Sequence, residues 1–423
     1  MSKTKLFNYL TKPYAVVIVI LMATLLSLVD RNLGYFFGLG ITLFIIWQKK
    51  PKLIVSGRSN YFSQLFDKQS LERIIEFSQP QPPSIRLKSV ILDEEVEIPL
   101  LPNGRINIEQ LRKYYMKGHS LILNSVEDYD PQVAQLARSL ETEMGARVQV
   151  NSYLTPQNEQ GFKPHYDTHD VIVAQIDGHK LWKIYPEDSV CPLNEMVDGA
   201  PQFRQATTEP QLIKLSPGDI LYLPRGWVHE AETEDNASLQ LTFGIHPPLA
   251  KDLLYAALEA MVVKYPQLRE ALPIGPLAVP DNRQKLEQCF TQLISLYAEH
   301  ANVHDAAQVI DDQLLRRSRS AGDGHLFGDI EALSTISPET QLQRRRYIRA
   351  QLVRVDHETI GLKFLNELIK GPNSFQVAMD YVLGSSQPFY VKDLPQLEAS
   401  HQLVLASSMV SCGLCSLTHT RLG

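Results

Sequence analysis

The feature that most constrains this sequence is a series of short apolar segments separated by turn signals, NSYLTPQNEQGFKPHYDTHDVIVAQIDGHKLWKIY at 151–185. Within it, VIVAQI has the composition of a buried strand, Asp177-Gly178 is a tight-turn dipeptide, and HKLWKIY at 179–185 is typical of a returning strand. A similar segment, LYLPRGWVHEAET, follows at 221–233. Helical spacing predicts three helices before these strands, at 66–78, 106–119 and 131–146. The order predicts an α+β protein, a β-barrel or double sheet with an N-terminal helical cover.

Three side chains of these two segments can converge on one metal ion. His165 and Asp167 are two positions apart, so on an extended chain both leave the same face. With 12 histidines and 47 acidic residues, about one such pair is expected by chance, and a surface or capping histidine is the ordinary alternative. His229 follows on a later strand, after a Pro-Gly turn and a Pro-Arg-Gly run. Two imidazoles and one carboxylate are the ligand set of a non-haem Fe(II) oxygenase.

Lys180 is informative because its neighbours on the returning strand are apolar. Lys180, Trp182 and Ile184 share one face of that strand. If this face points inward, Lys180 is a buried cation, which is costly unless an anion pairs with it. The alternative is that Lys180 faces water and the opposite face is buried. The first interpretation predicts an anionic partner inside the barrel.

Size and composition set broad limits. A chain of 423 residues predicts two or three domains. The formal charge of −6 argues against a nucleic-acid coat, although a local basic patch remains compatible with it. The four cysteines are few and scattered, which favours a reducing compartment.

Residues 1–52 differ from the rest in composition. Pro13 to Trp47 is almost continuously apolar and divides into two spans, 13–29 and 33–48, near the lower length limit for crossing a bilayer. Lysines precede and follow the pair, so the positive-inside rule predicts a membrane-associated apolar hairpin with the catalytic region in the cytoplasm. A cleavable signal peptide is disfavoured because no small-residue cleavage site follows the first span. An ordinary buried start, and hence a cytoplasmic protein, is the other alternative.

The two central segments resemble the JmjC-type ribosomal oxygenases, a cupin-superfamily branch of Fe(II)- and 2-oxoglutarate-dependent hydroxylases. The shared features, in the same order, are an Asn-x-Tyr-Leu-Thr-Pro strand, the His-x-Asp pair, the lysine strand after the turn, and a Pro-Arg-Gly-x-x-His strand. This resemblance implies a double-stranded β-helix core, the cupin or JmjC fold. It also implies that the chain binds Fe(II), 2-oxoglutarate as a cosubstrate, and O2.

The resemblance further implies a role for each matching residue. His165, Asp167 and His229 would be the iron ligands and the catalytic centre, and Lys180 would pair with the distal carboxylate of 2-oxoglutarate. Asn151, Tyr153 and Thr242 match positions that line the cosubstrate pocket. Six further residues are candidates for substrate or supporting contacts and are equally well explained as structural: Tyr166, His169, Gln175, Trp182, Arg225 and Gln240. The implied reaction hydroxylates an arginine or histidine side chain of a protein, with ribosomal proteins as candidate substrates.

The resemblance also divides the chain. It implies a catalytic domain at 53–247, a helical dimerisation region at 248–335, and a winged-helix-like domain at 336–423, so a homodimer is expected. An arginine-rich stretch at 344–349 is interpreted as a solvated helix face, and no direct nucleic-acid binding is expected. Cys412 and Cys415 have metal-site spacing without a second pair, which favours a helix that ends at Gly413 with two structural thiols.

Two functions of other classes remain open at this point. A non-catalytic, membrane-tethered cupin would use the same fold as a binding or scaffold module, with a structural or empty metal site. A metal-responsive winged-helix regulator would need salt-dependent DNA binding, which the net charge of −6 does not favour.

Overall fold

The computed structural model describes residues 47–187, 189–196, 208–272, 274–275, 279–317, 326–345 and 347–418. These residues divide into two compact units, one that ends at His246 and one that begins at Pro247. Residues 1–46, which make up most of the apolar hairpin predicted at 1–52, lie outside the described residues. In the part of the chain that is described, no helix combines the length and the apolar character needed to cross a bilayer.

Two β-sheets form the centre of the first unit. Its strands are β1 Lys52–Ile54, β2 Ile85–Ser89, β3 Glu94–Val96, β4 Ser120–Leu123, β5 Arg147–Thr155, β6 Asp170–Asp177, β7 Lys180–Glu187, β8 Gln211–Leu215, β9 Ile220–Leu223, β10 Trp227–Glu232 and β11 Ser238–His246. Eight of them form one sheet in the order β1-β9-β6-β11-β5-β4-β2-β3, and β10-β7-β8 form the other. From β6 to β11 the chain passes repeatedly between the sheets, as expected for a double-stranded β-helix. The predicted α+β class is therefore confirmed.

The Asp177-Gly178 turn joins β6 and β7, but these strands do not pair with each other. Strand β6 pairs with β9 and β11, whereas β7 pairs with β8 and β10. The prediction of a returning strand within one hairpin was therefore wrong. The turn is a corner that carries the chain from the large sheet to the small one. Gly178 has φ +66, and a Cβ atom there would collide with the carbonyl oxygen of Ala237, so glycine is required.

The face of β7 that carries Lys180 points inward. Lys180, Trp182 and Ile184 are only 4%, 5% and 2% exposed, so the alternative in which Lys180 faces water is wrong. Trp182 and Ile184 join an apolar cluster that is built from both sheets. Its other members are Val171, Val173, Ile213, Leu215, Leu221 and Leu223. Lys180 is thus a basic side chain buried on a face of β7 whose next residues belong to an apolar cluster.

Three helices cover the first unit, as predicted. They are α1 Lys68–Arg73, extended by a π-helical turn at Ile74–Ser78, α2 Ile108–Met116, and α3 Pro131–Met144. Each begins at an acidic or amide cap, because the side chains of Asp67, Asn107 and Asp130 accept hydrogen bonds from backbone N–H groups of the first turn. Their buried side chains belong to the largest core cluster, which includes residues of β2, β4, β5 and β11.

The second unit contains helices followed by two small sheets. The helices are α4 Ala250–Lys264, α5 Pro280–His300, α6 Val303–Arg317, α7 Leu326–Glu331, α8 Gln376–Gly384 and α9 Ala399–Ser411. The strands are β12 Gln341–Arg344, β13 Ala350–Arg354, β14 Thr359–Phe364, β15 Glu367–Pro372, β16 Phe389–Tyr390 and β17 Cys415–Leu417. They form the sheets β16-β12-β17 and β13-β14-β15. Helices α8 and α9 pack on these sheets around one apolar core.

Arg344, Arg345 and Arg349 do not lie on a helix, so the interpretation as a solvated helix face was wrong for these three residues. Arg344 ends β12, and its guanidinium donates to the carbonyl oxygens of Leu383 and Ile348. Arg345 pairs with buried Asp329 at 2.7 Å. Both cations are engaged within the unit, which gives no support to a nucleic-acid site.

The two C-terminal cysteines lie where the structural interpretation put them. Helix α9 ends at Ser411 and is followed by Gly413 at φ +79. Cys412 is half-buried and Cys415 is fully buried, and burial raises the pKa of the Cys415 thiol to about 12. A protonated, buried thiol has a structural role.

Candidate metal centre

Three predicted residues meet at one end of the space between the sheets. One ligand atom from each of His165, Asp167 and His229 lies within 4.8 Å of the other two. Nε2 of His229 is 3.6 Å from Oδ2 of Asp167, and the two imidazole rings are 4.5 Å apart between centroids. His229 is distant from the other two in the sequence, and backbone hydrogen bonds bring it next to His165. The N–H of His165 donates to the His229 carbonyl at 3.0 Å, and the N–H of His229 donates to the His165 carbonyl at 2.7 Å.

Backbone carbonyl groups fix the orientation of both imidazoles. Nδ1 of His165 lies 2.8 Å from the carbonyl oxygen of Lys163, and Nδ1 of His229 lies 2.9 Å from that of Trp227. A neutral imidazole that donates from Nδ1 leaves the Nε2 lone pair free. This is the tautomer and orientation that a metal-ligating histidine adopts.

Electrostatics keeps His229 and Asp167 in the protonation states that metal ligands need. Burial, together with nearby His165, lowers the pKa of His229 to about 4, so its imidazole is neutral near pH 7. Burial opposes ionisation of Asp167, but the surrounding histidines, first His169 and then His229, hold its pKa below the ordinary value. A carboxylate and neutral imidazoles are the forms that coordinate a cation.

These three side chains open into a cavity of about 220 Å³. Its lining combines the three clustered residues with polar and apolar side chains of both sheets: Arg86, Tyr153, Gly161, Phe162, His165, Asp167, Val171, Lys180, Trp182, His229, Ala231, Gln240 and Thr242. Lys180 is 4% exposed, and its ammonium donates to Oγ1 of Thr155 at 3.0 Å. Among the described residues, no carboxylate lies within ion-pair distance of it. Burial lowers the pKa of Lys180 to about 7.

The residues predicted to line a cosubstrate pocket fall into two groups. Tyr153 and Thr242 line the cavity together with Lys180. Burial is the main cause that raises the pKa of Tyr153 to about 12, so its hydroxyl stays protonated. Asn151 is not part of the lining. Its side-chain oxygen accepts a hydrogen bond from the N–H of Ser125 at 3.2 Å, which links β5 to the turn that follows β4.

Only some of the six candidates for substrate or supporting contacts line the cavity. Trp182 and Gln240 line the cavity, whereas Gln175 donates to the carbonyl oxygens of Asp177 and Gly178 and holds the corner turn. His169 stacks on His246 at 4.5 Å and lies near Asp167. Tyr166 is buried. Burial raises the pKa of Asp170, and nearby Arg225 is one of the groups that oppose this rise.

Sequence reasoning missed Arg86 and Phe162 in the cavity. Arg86 lies on β2, and the pairing of β2 with β4 and of β4 with β5 brings it beside Tyr153. The ring of Phe162 lies 5.8 Å from that of Tyr153 and 5.5 Å from that of His165. The only sequence signal for Phe162 was its position three residues before His165.

The donor set fits a divalent metal ion, and the cavity fits a dicarboxylate beside it. Two imidazoles and one carboxylate on one side of an ion leave its remaining positions open, which is the arrangement of a facial triad. A buried cation without a carboxylate partner in the described part of the chain provides the counter-charge for an anionic ligand. Both ends of such a ligand therefore have a matching group.

Comparisons with known proteins agree with this geometry. Residues 123–253 match the JmjC domain family. Ribosomal oxygenase 1 of Rattus norvegicus is 30% identical over 238 residues, which cover 54% of this chain and 39% of that protein. The bifunctional lysine-specific demethylase and histidyl-hydroxylase NO66 of Drosophila pseudoobscura pseudoobscura is 31% identical over 245 residues, 54% of this chain and 24% of that protein. The chain thus spans well under half the length of these two relatives.

A solved structure extends the likeness to the whole fold. The ribosomal oxygenase YcfD from Escherichia coli, in complex with cobalt and 2-oxoglutarate, aligns with a TM-score of 0.54 over 92% of this chain and 99% of that one, at 18% identity. Fold and site together define a JmjC-domain protein of the cupin class. Within that class, the chain is similar to the JmjC-domain ribosomal oxygenases.

Proposed function

We propose that this chain is an Fe(II)- and 2-oxoglutarate-dependent oxygenase that hydroxylates a protein side chain, arginine or histidine, with a ribosomal protein as the candidate substrate. The observation that carries the proposal is the pairing of two groups in one cavity. His165, Asp167 and His229 line the cavity, and so does Lys180. Lys180 is buried and has no carboxylate partner among the described residues. An anion that chelates a metal ion through one end and carries a second carboxylate at the other satisfies both groups.

Seven residues of the cavity then have defined tasks. His165, Asp167 and His229 would hold the iron, which supplies the redox chemistry that couples O2 to decarboxylation of 2-oxoglutarate into succinate and carbon dioxide. Lys180 pairs with the distal carboxylate and sets the direction in which the cosubstrate lies. Tyr153, Thr242 and Trp182 fill the walls around it and exclude water. No side chain needs to act as a general base.

Turnover measurements test the proposal. Purified protein supplied with Fe(II), 2-oxoglutarate and O2 should form succinate, and His165→Ala or Asp167→Ala should abolish this. His304→Ala is the matched control, because His304 is an exposed histidine of α6 in the second unit. Normal turnover in both site variants would contradict the proposal. A wild-type protein that binds neither metal nor 2-oxoglutarate would favour a non-catalytic cupin scaffold.

The substrate requires a separate experiment. Mass spectrometry of the proteome with and without this gene should reveal a peptide whose one-oxygen mass increment is lost with the gene. A hydroxylated arginine or histidine of a ribosomal protein is the expected outcome, and the similarity to a histidyl-hydroxylase and to a ribosomal oxygenase supports histidine and a ribosomal protein. An unchanged proteome would argue against a protein substrate.

For the chain as a whole we propose a catalytic domain at 53–247, a helical dimerisation region at 248–335 and a winged-helix-like domain at 336–423. The division of the described residues after His246 supports the first boundary. Exposed apolar side chains on the helices that follow support a homodimer. They include Leu254, Tyr255, Val263, Phe290, Ile294 and Val303, between 52% and 79% exposed.

The dimer has a direct test. Phe290 and Ile294 lie one turn apart on α5, so Phe290→Glu with Ile294→Glu should place two charges in the interface and halve the mass measured by light scattering. Gln292→Glu, on the same helix and also exposed, should leave the mass of the dimer unchanged. A dimer that persists in the double variant would contradict this assignment.

We also propose that residues 1–52 associate the protein with a membrane, with the catalytic domain in the cytoplasm. The support is the apolar composition of 13–48 between lysine clusters. Fractionation should compare the full chain with one that starts at Trp47, because Trp47 stacks on Tyr222 and β1 pairs with β9. The full chain should sediment with membranes and the shorter chain should not. Equal partition of the two would reject the anchor.

A further inference from the structure

Asp170 is a buried carboxyl group at the point where the loop that carries His165 and Asp167 enters β6. It is 0% exposed. Its side chain points to the face of the large sheet opposite the cavity, because Ile172, on the same face of β6, belongs to the core beneath the helices. A carboxyl group buried outside a cavity needs hydrogen-bond donors around it, so the groups that surround Asp170 indicate its role.

Two residues that precede β1, Trp47 and Gln48, hold this carboxyl group from behind the sheet. The side-chain amide of Gln48 donates to Oδ2 of Asp170 at 3.2 Å, and the hydroxyl of Tyr222 donates to Oδ1 at 3.0 Å. The backbone N–H of Gln48 donates to that hydroxyl at 2.8 Å, and the indole of Trp47 stacks on the Tyr222 ring with the centroids 5.5 Å apart. We call Trp47, Gln48, Tyr222 and Asp170 the clasp.

The clasp adjoins both segments that carry the clustered metal-site residues. One is the loop before β6, which ends at Asp170. The other is the turn between β9 and β10, where Arg225 is one of the groups that counter the effect of burial on the pKa of Asp170. In the same turn, the N–H of Gly226 donates to the carbonyl oxygen of Asp167 at 2.9 Å. Because His229 follows this turn on β10, one hydrogen-bonded corner fixes the segment with two of the clustered residues against the segment with the third.

We propose that Gln48 and Asp170 are positioning residues of the metal centre. They hold the loop before β6 against the turn before β10 and so set the spacing of the three ligands. The proposal rests on the proposed function, since it takes the three clustered side chains as metal ligands. Neither Gln48 nor Asp170 lines the cavity, so both act through the ligands and not by contact with the metal or the cosubstrate. The clasp thereby connects the C-terminal end of the apolar span 33–48 to the metal centre.

Calorimetry of Mn(II) binding to the full chain tests this, together with the melting temperature of the metal-free protein. Gln48→Met removes the donor to Asp170 at similar side-chain length, and Tyr222→Phe removes the hydroxyl but keeps the ring that stacks on Trp47. Each should raise the dissociation constant for Mn(II) about tenfold, the lower end of the range for groups that orient metal ligands. Affinity for 2-oxoglutarate at saturating Mn(II) should stay at the wild-type value.

A double-mutant cycle separates positioning from a general loss of stability. If Gln48 acts through Asp170, adding Gln48→Met to Asp170→Asn should cost little further Mn(II) affinity, whereas independent effects would multiply to about a hundredfold. Gln79→Met is the matched control, because the half-buried Gln79 also joins two segments of the first unit, through Ile75 and Ile106. It should lower the melting temperature and leave Mn(II) affinity unchanged.

Three results would overturn the inference. They are wild-type Mn(II) affinity in both Gln48→Met and Tyr222→Phe, an equal loss of affinity in Gln79→Met, and multiplied losses in the double variant. If Asp170→Asn does not fold, Tyr222→Phe takes its place in the cycle, since the backbone of Gln48 also reaches Asp170 through this hydroxyl. A wild-type protein that binds no Mn(II) would instead contradict the proposed function.

Discussion

The burial of Lys180 costs the protein stability. Its ammonium is buried, has one hydrogen bond to Thr155, and has a pKa lowered by burial to about 7 against an ordinary value of 10.5. In the folded protein without a ligand, this depressed pKa destabilises the fold at every pH below 10.5, because the unfolded chain keeps the proton more readily. A binding role explains why such a residue stands at this position.

Replacing Lys180 by methionine should therefore separate stability from binding. Lys180→Met removes the buried charge at similar volume, so the free energy of unfolding at pH 7 should rise by about 1 to 4 kcal/mol. Chemical denaturation at pH 7 and at pH 10 measures this, and the gain should shrink towards pH 10.5, where unfolded lysine is also neutral. Affinity for 2-oxoglutarate should fall at least a hundredfold with Mn(II) affinity retained. Equal losses for both ligands would contradict the role of Lys180.

The same pKa predicts how cosubstrate affinity depends on pH. The free protein loses the Lys180 proton above about pH 7, and binding of a carboxylate restores it. Affinity for 2-oxoglutarate should be constant below pH 7 and fall by about tenfold per pH unit above it. Calorimetry with Mn(II) at pH 6.5 and 8.5 measures the change. Lys180→Arg keeps its charge over this range and should remove the dependence; an equal dependence in that variant would assign the effect to another group.

At the scale of elements, the metal centre depends on how β10 meets the loop before β6. The pairing of β10 with β7 is irregular between Trp227 and His229, and such a bulge re-aims a side chain. Gly226 precedes this point with φ +86, and its N–H donates to the carbonyl oxygen of Asp167 at 2.9 Å. One short segment thus fixes two of the three clustered residues.

Gly226→Ala should therefore damage metal binding more than the fold. A Cβ atom at this position would collide with the carbonyl oxygen of Ser189, so the segment must move. Affinity for Mn(II), measured by calorimetry, should fall by at least tenfold. Gly104→Ala is the matched control, since Gly104 has φ +79 with open space around it and carries the same backbone strain alone. Similar metal affinity in both variants would show that Gly226 has no special place in the site.

Local patterns predicted the elements well and their pairing poorly. Caps and glycines located the three covering helices, whereas the alternation of side chains around Lys180 left open whether its face points inward, and the structure decided this. The Asp177-Gly178 signal located a turn but could not show whether the next strand pairs back or crosses to a second sheet. Arg86 joins the cavity only through pairing across β4 and β5, which no local pattern reports.

At the scale of the whole molecule, the cavity lies entirely within the first unit, among residues of its two sheets and of the loop that precedes β6. The second unit contributes apolar helix surface and a separate core. The sequence predicted this division only through a family resemblance, because nothing in composition changes at residue 247. The first unit is therefore expected to determine the chemistry, and the second the assembly state.

One cavity is proposed to hold a metal ion and a 2-oxo acid together. Anaerobic titration of the Fe(II)-loaded protein with 2-oxoglutarate tests it, because chelation of Fe(II) by a 2-oxo acid produces a visible charge-transfer absorption. The wild type should develop this absorption, Asp167→Ala should not, and Lys180→Met should require far more 2-oxoglutarate to reach it. Binding of 2-oxoglutarate to the wild type without any visible absorption would place the ligand away from the metal and contradict the account.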